Sequence, residues 1–332
     1  MMRAMMCEKL GSEPVMRTVD DPVAGPDQVV IDIYACGVNF ADTLIIAGKY
    51  QHRPDVPFIP GFEIAGIVCA VGDGVDPAII GQRVMAMAAH GGFAEKIALP
   101  ADRIIPIPDG VSFADAAAFQ ITYGTSWFAL KYRAAVRAGE VVLVHGAAGG
   151  VGVTAVECAK VLGASVIATA GGPEKCEIAR QHGADFVIDY KAENIADAVR
   201  DICQRHDWHA GVDVVYDPVG GDVFNQSLRC VAPGARLLVI GFASGDIPQI
   251  PANILLVKNI SVLGFYFGAY LDQNPETARD GMADLLHNLA MGHITPSVSR
   301  RFDLADVPQA FAALRNRSAT NKMVVMCRDA AD

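Results

Sequence analysis

The run Ala147-Ala148-Gly149-Gly150-Val151-Gly152 has the residue types and spacing to hold a phosphate. It follows an apolar stretch expected as a strand (141–145) and opens a small-residue stretch expected as a helix (151–162). In that setting Gly149 lets the backbone approach a pyrophosphate, and Gly152 lets helix and strand pack closely. The helix start at Gly150 and Val151 offers N–H donors and a positive dipole end. Ala147 stands where such a turn usually has its first glycine. A plain strand–turn–helix with no ligand is the alternative. The repeated strand and helix patterns that follow favour a dinucleotide.

A cofactor's ribose is read near the end of the next strand. There an enzyme for NAD places Asp or Glu on the ribose hydroxyls. Here the strand ends ATAGGPEK, with Ala170 and Gly171 at the acid's place and Lys175 just beyond. Without the acid a 2′-phosphate meets no repulsion, and the lysine offers a compensating charge, although Glu174 beside it opposes part of that charge. The expected cofactor is NADPH. Other constellations are weaker. His206 and His209 form H-x-x-H, but in a polar connection (RHDWH) that reads as a solvated loop. The eight cysteines are scattered with no C-x-x-C pair, so they read as free thiols of a reducing compartment.

The elements that must position these residues alternate through the middle of the chain. SVIATA, DFVIDY, GVDVVYD and ARLLVIGF are near-continuous apolar strands, separated by PEKCEIARQHG, NIADAVRDICQR and DVFNQSLRCVAPG as helices. That is the signature of a parallel sheet covered on both faces. SVLGFYF, residues 261–267, reads as one more strand. Residues 1–110 instead carry short β-type runs with Pro and Gly punctuation, and Ser112 with Asp115 caps a following helix. The expected domains are 1–124, mostly β; 125–264, doubly wound α/β; and 265–332, returning to the first.

The 332 residues allow two sizeable cores, with 52% hydrophobic and 19% charged residues and no low-complexity tract. A net charge of −10 argues against a nucleic-acid surface. No apolar run reaches the roughly 18 residues of a membrane helix, and the Met-rich start lacks the apolar stretch of a signal peptide, so the expected location is the cytoplasm.

CGVNFADTLIIAGKY, PFIPGFEIAGIV, DAAAFQITYGTSWFAL, VHGAAGGVG and the late GFYF together resemble the medium-chain dehydrogenase/reductase superfamily. The branch resembled is its zinc-independent quinone oxidoreductases, of the zeta-crystallin type. The resemblance spans essentially the whole chain. It implies a GroES-like catalytic domain made from both chain ends, with a Rossmann domain inserted, and a homodimer that pairs edge strands around SVLGFYF. In zinc-dependent members a cysteine, the histidine of Gly-His-Glu and a second cysteine hold the metal. The matching positions here are Asn39, Phe62 and Ile121, none of which can ligate zinc.

Without zinc to lower an alcohol's pKa, the chemistry that remains is hydride delivery to an electron-poor acceptor such as a quinone or enone, in the cleft between domains. The resemblance offers Asn39, through its N–H₂, and Tyr50, as a proton donor, on the substrate side; a turn-stabilising amide and an amphipathic loop tyrosine are the alternatives. Leu44 stands where relatives often have a second tyrosine. Glu63, with no metal to sit behind, reads as a buried hydrogen-bonded carboxylate. The resemblance also puts Lys175, Tyr190 and Arg317 around the 2′-phosphate, Thr125 near the nicotinamide, and Phe242, Phe265 and Phe267 at the nicotinamide end, where core aromatics are the equal alternative. The rival readings are an enoyl-thioester or alkenal reductase, and a nucleotide-binding structural or regulatory protein.

Overall fold

Four consecutive buried residues, Val141–Val144, leave no solvent face, and they form the central strand of a six-stranded sheet. The computed structural model describes residues 1–208, 211–316 and 318–328. The chain divides into two units, Met1–Ile121 with Pro296–Asp332, and Thr122–Thr295. In the second unit the strand order is Phe186–Asp189, Ser165–Ala170, Val141–Val144, Val212–Asp217, Val231–Val239, Ser261–Gly264. Every neighbouring pair is parallel. The order reverses between Val141–Val144 and Val212–Asp217, which creates a switch point where loops leave both strands' carboxyl ends.

Local signals place most helices as expected. Pro173 opens Pro173–Gln181, and Gly163 and Gly183 take positive φ just beyond their helices. Ser112 Oγ accepts from the Asp115 N–H at the start of Phe113–Ala117.

Residues 265–295 belong to the second unit and not, as expected, to the first. The strand at 261–267 stops at Gly264, and Phe267–Gln273 and Pro275–Ala290 are helices of the second unit. Ring packing holds them there. A Cβ on Gly281 would lie 2.4 Å from the Phe128 ring, and one on Gly124 would lie 2.3 Å from the Phe267 ring. Lys131 also pairs with Asp284. The chain therefore returns to the first unit at Pro296, not at 265.

The first unit is built on a seven-stranded sheet. Its backbone order is Val298–Asp303, Lys322–Met326, Gln28–Val38, Glu63–Val71, Arg83–Met87, Ile104–Pro106, with Lys96–Pro100 also pairing Gln28–Val38. The last strand, Lys322–Met326, thus lies antiparallel to Gln28–Val38, with Met323 opposite Val38.

Candidate active site

Extending that register by one residue sets Lys322 across from Asn39, which follows the strand and precedes the helix Phe40–Ile46. On the other side, Cys36 pairs with Ile64, bringing Glu63 to the same sheet end. The three side chains meet in the interior. Lys322 Nζ donates to Asn39 Oδ1 at 2.5 Å and to Glu63 Oε1 at 2.6 Å, and Asn39 Nδ2 donates to Glu63 Oε1 at 3.0 Å. Ile121 N–H reaches Glu63 Oε2 at 2.9 Å. Lys322 and Asn39 are 5% and 7% exposed and Glu63 is fully buried, so each charge is desolvated and each is answered.

Asp42 completes the group. Its carboxylate accepts the Asn39 backbone N–H at 2.7 Å and the Gly61 N–H at 3.1 Å. Burial pushes this carboxyl up to about 7, against the pull of those two N–H groups and the Lys322 charge. Tyr50 stacks at a tilt on Phe62, with ring centroids 5.5 Å apart. The Asn39 amide is therefore more engaged than its sequence position implied. One hydrogen is held by Glu63, and the other faces the Gly37 carbonyl at a long 3.4 Å. Lys322 carried no sequence signal as a site residue, because it lies in an ordinary apolar strand pattern.

In the second unit the glycine turn joins Val141–Val144 to the helix Gly150–Val161, with Gly149 at the cap. A Cβ on Gly152 would lie 2.1 Å from the Gly146 carbonyl oxygen, which explains why helix and strand come so close. On Gly149 the nearest atom would be that same oxygen at 3.3 Å, so its outer side is open to an approaching group. The positive φ, +59°, falls on Gly146. Ala147 is buried with an ordinary backbone, which is why alanine is tolerated there. Its N–H donates to Thr169 O at 3.0 Å. His145, one residue before the turn, is fully buried between Thr169 Oγ1 and Ser227 Oγ, and burial lowers its pKa, keeping the ring neutral.

At the end of Ser165–Ala170 the structure brings Gly171 under the Tyr190 ring; a Cβ there would sit 2.5 Å from Tyr190 Oη. Asp189, which the sequence reading did not single out, accepts the Gly172 N–H at 2.9 Å and shapes this corner. Its backbone bonds lower its pKa. Lys175 lies in the first turn of Pro173–Gln181. Arg317 and His209 lie outside the described residues. His206 packs its ring against Phe186, 4.7 Å between centroids, at the end of the helix Ile195–Arg205.

The three phenylalanines separate. Phe265 and Phe267 join Phe128 and Tyr270 in one aromatic cluster, beside the helix that carries buried Thr125. Phe242 lies over Gly220, in the turn after Val212–Asp217 that Asp217 Oδ1 holds through the Val219 and Gly220 N–H groups. This turn also borders Gly146, whose added Cβ would meet Val219 at 3.3 Å. Phe242 and the glycine turn thus share the switch point of the sheet.

Comparison with known proteins covers nearly the whole chain. Residues 25–109 match the alcohol dehydrogenase GroES-like domain and residues 150–288 the zinc-binding dehydrogenase family. The quinone oxidoreductase-like protein 2 homolog of Nematostella vectensis is 42% identical, over 97% of this chain and 88% of the relative. A quinone oxidoreductase of Pseudomonas aeruginosa is 38% identical, over 91% and 92%. The chain belongs to the quinone oxidoreductase family of medium-chain dehydrogenases/reductases. Among solved structures, the quinone oxidoreductase of Thermus thermophilus, determined also in complex with NADPH, is 34% identical and superposes with a TM-score of 0.85, over 98% of this chain and 100% of that one.

Within this quinone oxidoreductase family member, the match named for zinc binding spans residues that contain none of Asn39, Phe62 or Ile121. Among the described residues no three His, Cys, Asp or Glu side chains are grouped to hold a metal ion. Phe62 packs in the apolar core of the first unit, and Glu63 is ion-paired with Lys322. All eight cysteines are free thiols, seven buried and Cys69 half-buried. No helix among the described residues is long and apolar enough to cross a membrane.

Proposed function

We propose that the protein is an NADPH-dependent reductase of quinones or other conjugated carbonyl acceptors. The observation that carries this reading is the filling of the positions of a metal-binding turn. Phenylalanine occupies one, an amide another, and the neighbouring Glu63 is neutralised by Lys322. A site of this kind can stabilise charge with an N–H or an ammonium, but it offers no ligand set for a Lewis acid. That suits an acceptor whose own conjugation makes it electron-poor.

The residues fit a dinucleotide. Gly149 presents open backbone at the start of a twelve-residue helix, and Gly171 with Tyr190 and Lys175 stands where an acid would reject a 2′-phosphate. Similarity to a quinone oxidoreductase that binds NADPH supports the same choice. NADPH, when bound, supplies the hydride. Gly150 and Val151 would offer N–H groups to its pyrophosphate, with Gly149 leaving room for it and Gly152 letting the helix pack close behind; Lys175, Tyr190 and Arg317 would surround the 2′-phosphate. Thr125, Phe242, Phe265 and Phe267 are proposed to border the nicotinamide end. Asn39 is proposed to donate to the acceptor oxygen as negative charge develops, and Tyr50 to supply the proton that an enone needs at carbon, a reduced quinone taking its proton from water.

The test is NADPH consumption against a panel of quinones, alkenals, enoyl thioesters and saturated ketones. Turnover confined to quinones supports the reading, and preference for enoyl thioesters would reassign the substrate. No turnover with any acceptor would favour a binding role.

A further inference from the structure

An asparagine amide has two ends of nearly equal shape and opposite polarity, so its partners decide which way it faces. At Asn39 the oxygen faces an ammonium, which can only donate, and the nitrogen faces a carboxylate, which can only accept. Turning the amide over would set N–H₂ against Lys322 and C=O against Glu63, two repulsive contacts in a buried site. Among the described residues the second hydrogen of Nδ2 has only the Gly37 carbonyl at 3.4 Å, a distance at which little is lost if another acceptor replaces it. Lys322, by donating to Oδ1, draws electron density through the amide and strengthens the same N–H as a donor.

We propose that Lys322 is a positioning residue of the reaction, which with Glu63 locks and polarises the Asn39 amide so that one N–H stays available to the acceptor oxygen. This rests on the reductase reading above. A buried ion pair usually gains little stability over apolar packing of the same volume. Its physical advantage here is direction: the pair fixes which end of the amide faces which way. The strands that bring the three residues together are the scaffold, and the ammonium is the part that acts on Asn39.

Removing one charge alone would leave the other buried and unpaired, so Lys322→Met is made together with Glu63→Gln, and Lys322→Arg serves as the charge-retaining control. The expected result is a turnover on the best quinone lowered by about 10- to 100-fold in the neutral double variant, with the KM for NADPH unchanged. Lys322→Arg should recover part of that loss. Asn39→Ala should lose a similar factor, and adding it to the double variant should cost nothing more, since both act through one group. Full turnover in the neutral variant, or losses that multiply with Asn39→Ala, would overturn the proposal.

A second readout needs no turnover. In protein labelled with ¹⁵N-asparagine, the Asn39 side-chain amide is identified by its disappearance in Asn39→Ala. The expected signal is two well-separated, slowly exchanging protons in the native chain, which shift and exchange faster in the neutral variant. An unchanged signal would refute the lock. A protein inert toward every acceptor would refute the reductase reading, while this spectrum still decides the role of Lys322.

Discussion

Gly37 and Glu63 are in contact in a way that leaves no room for a side chain at position 37. A Cβ there would lie 2.5 Å from Glu63 Oε1 and 2.3 Å from the Ala117 carbonyl oxygen. Gly37→Ala must therefore displace the carboxylate that holds Asn39 and Lys322. Overpacking of this kind costs about 1–3 kcal/mol, and the activity loss should exceed what that destabilisation explains. Denaturation midpoints and quinone turnover, measured on the same preparation, check it; native behaviour in both would mean the carboxylate can move freely.

Metal content follows from the residues at 39, 62 and 121. The purified protein should carry no stoichiometric zinc, and chelation should leave its NADPH oxidation intact. Elemental analysis showing about one zinc per chain, with activity lost on chelation, would contradict the assignment.

Gly171 and Lys175 are the residues proposed to set cofactor choice. Lys175→Ala should raise the KM for NADPH by about ten- to a hundredfold and barely change that for NADH, because a charge-assisted phosphate bond contributes about 1.5–3 kcal/mol. Equal use of both cofactors by the unmodified protein would count against it.

Asp42 predicts a pH dependence of stability. Its folded pKa, about 7, lies above its ordinary value of 3.8, so the folded chain holds this proton longer than the unfolded one. Its contribution is then most favourable below about pH 4 and is lost as pH rises through about 7. Asp42→Asn has no such titration. The variant should therefore be more destabilised relative to the native chain at pH 5 than at pH 8, as read from urea midpoints. A penalty that grows with pH would show the carboxylate to be stabilised by its two N–H donors instead.

Tyr50→Phe keeps the ring against Phe62 and removes only the hydroxyl. A reduced quinone can take its proton from water, whereas an enone must be protonated at a fixed carbon. The variant should therefore slow enone turnover more than quinone turnover. Steady-state rates on both acceptors decide it, and a collapse on quinones alone would reverse the assignment.

Local sequence determined much of the second unit. Fully buried parallel strands need near-continuous apolar runs, and turns need glycine or proline, so strand, glycine turn and helix were readable from neighbouring residues. The identities at 39, 62 and 121 likewise spoke against a metal without any coordinates. Tertiary structure decided the rest. The helix Pro275–Ala290 belongs to the second unit because Gly281 admits the Phe128 ring, a contact between distant parts of the chain that no local pattern records. Positive φ at Gly146, not at 147, explains an alanine that looked out of place. Lys322 is the polar first residue of the last strand, Lys322–Met326, and only the antiparallel register of that strand against Gln28–Val38 carries its ammonium to Asn39 and Glu63. Strand pairing is set by burial of whole faces rather than by the residues that happen to meet at the strand's end, which is why this charge was invisible until the sheet was assembled.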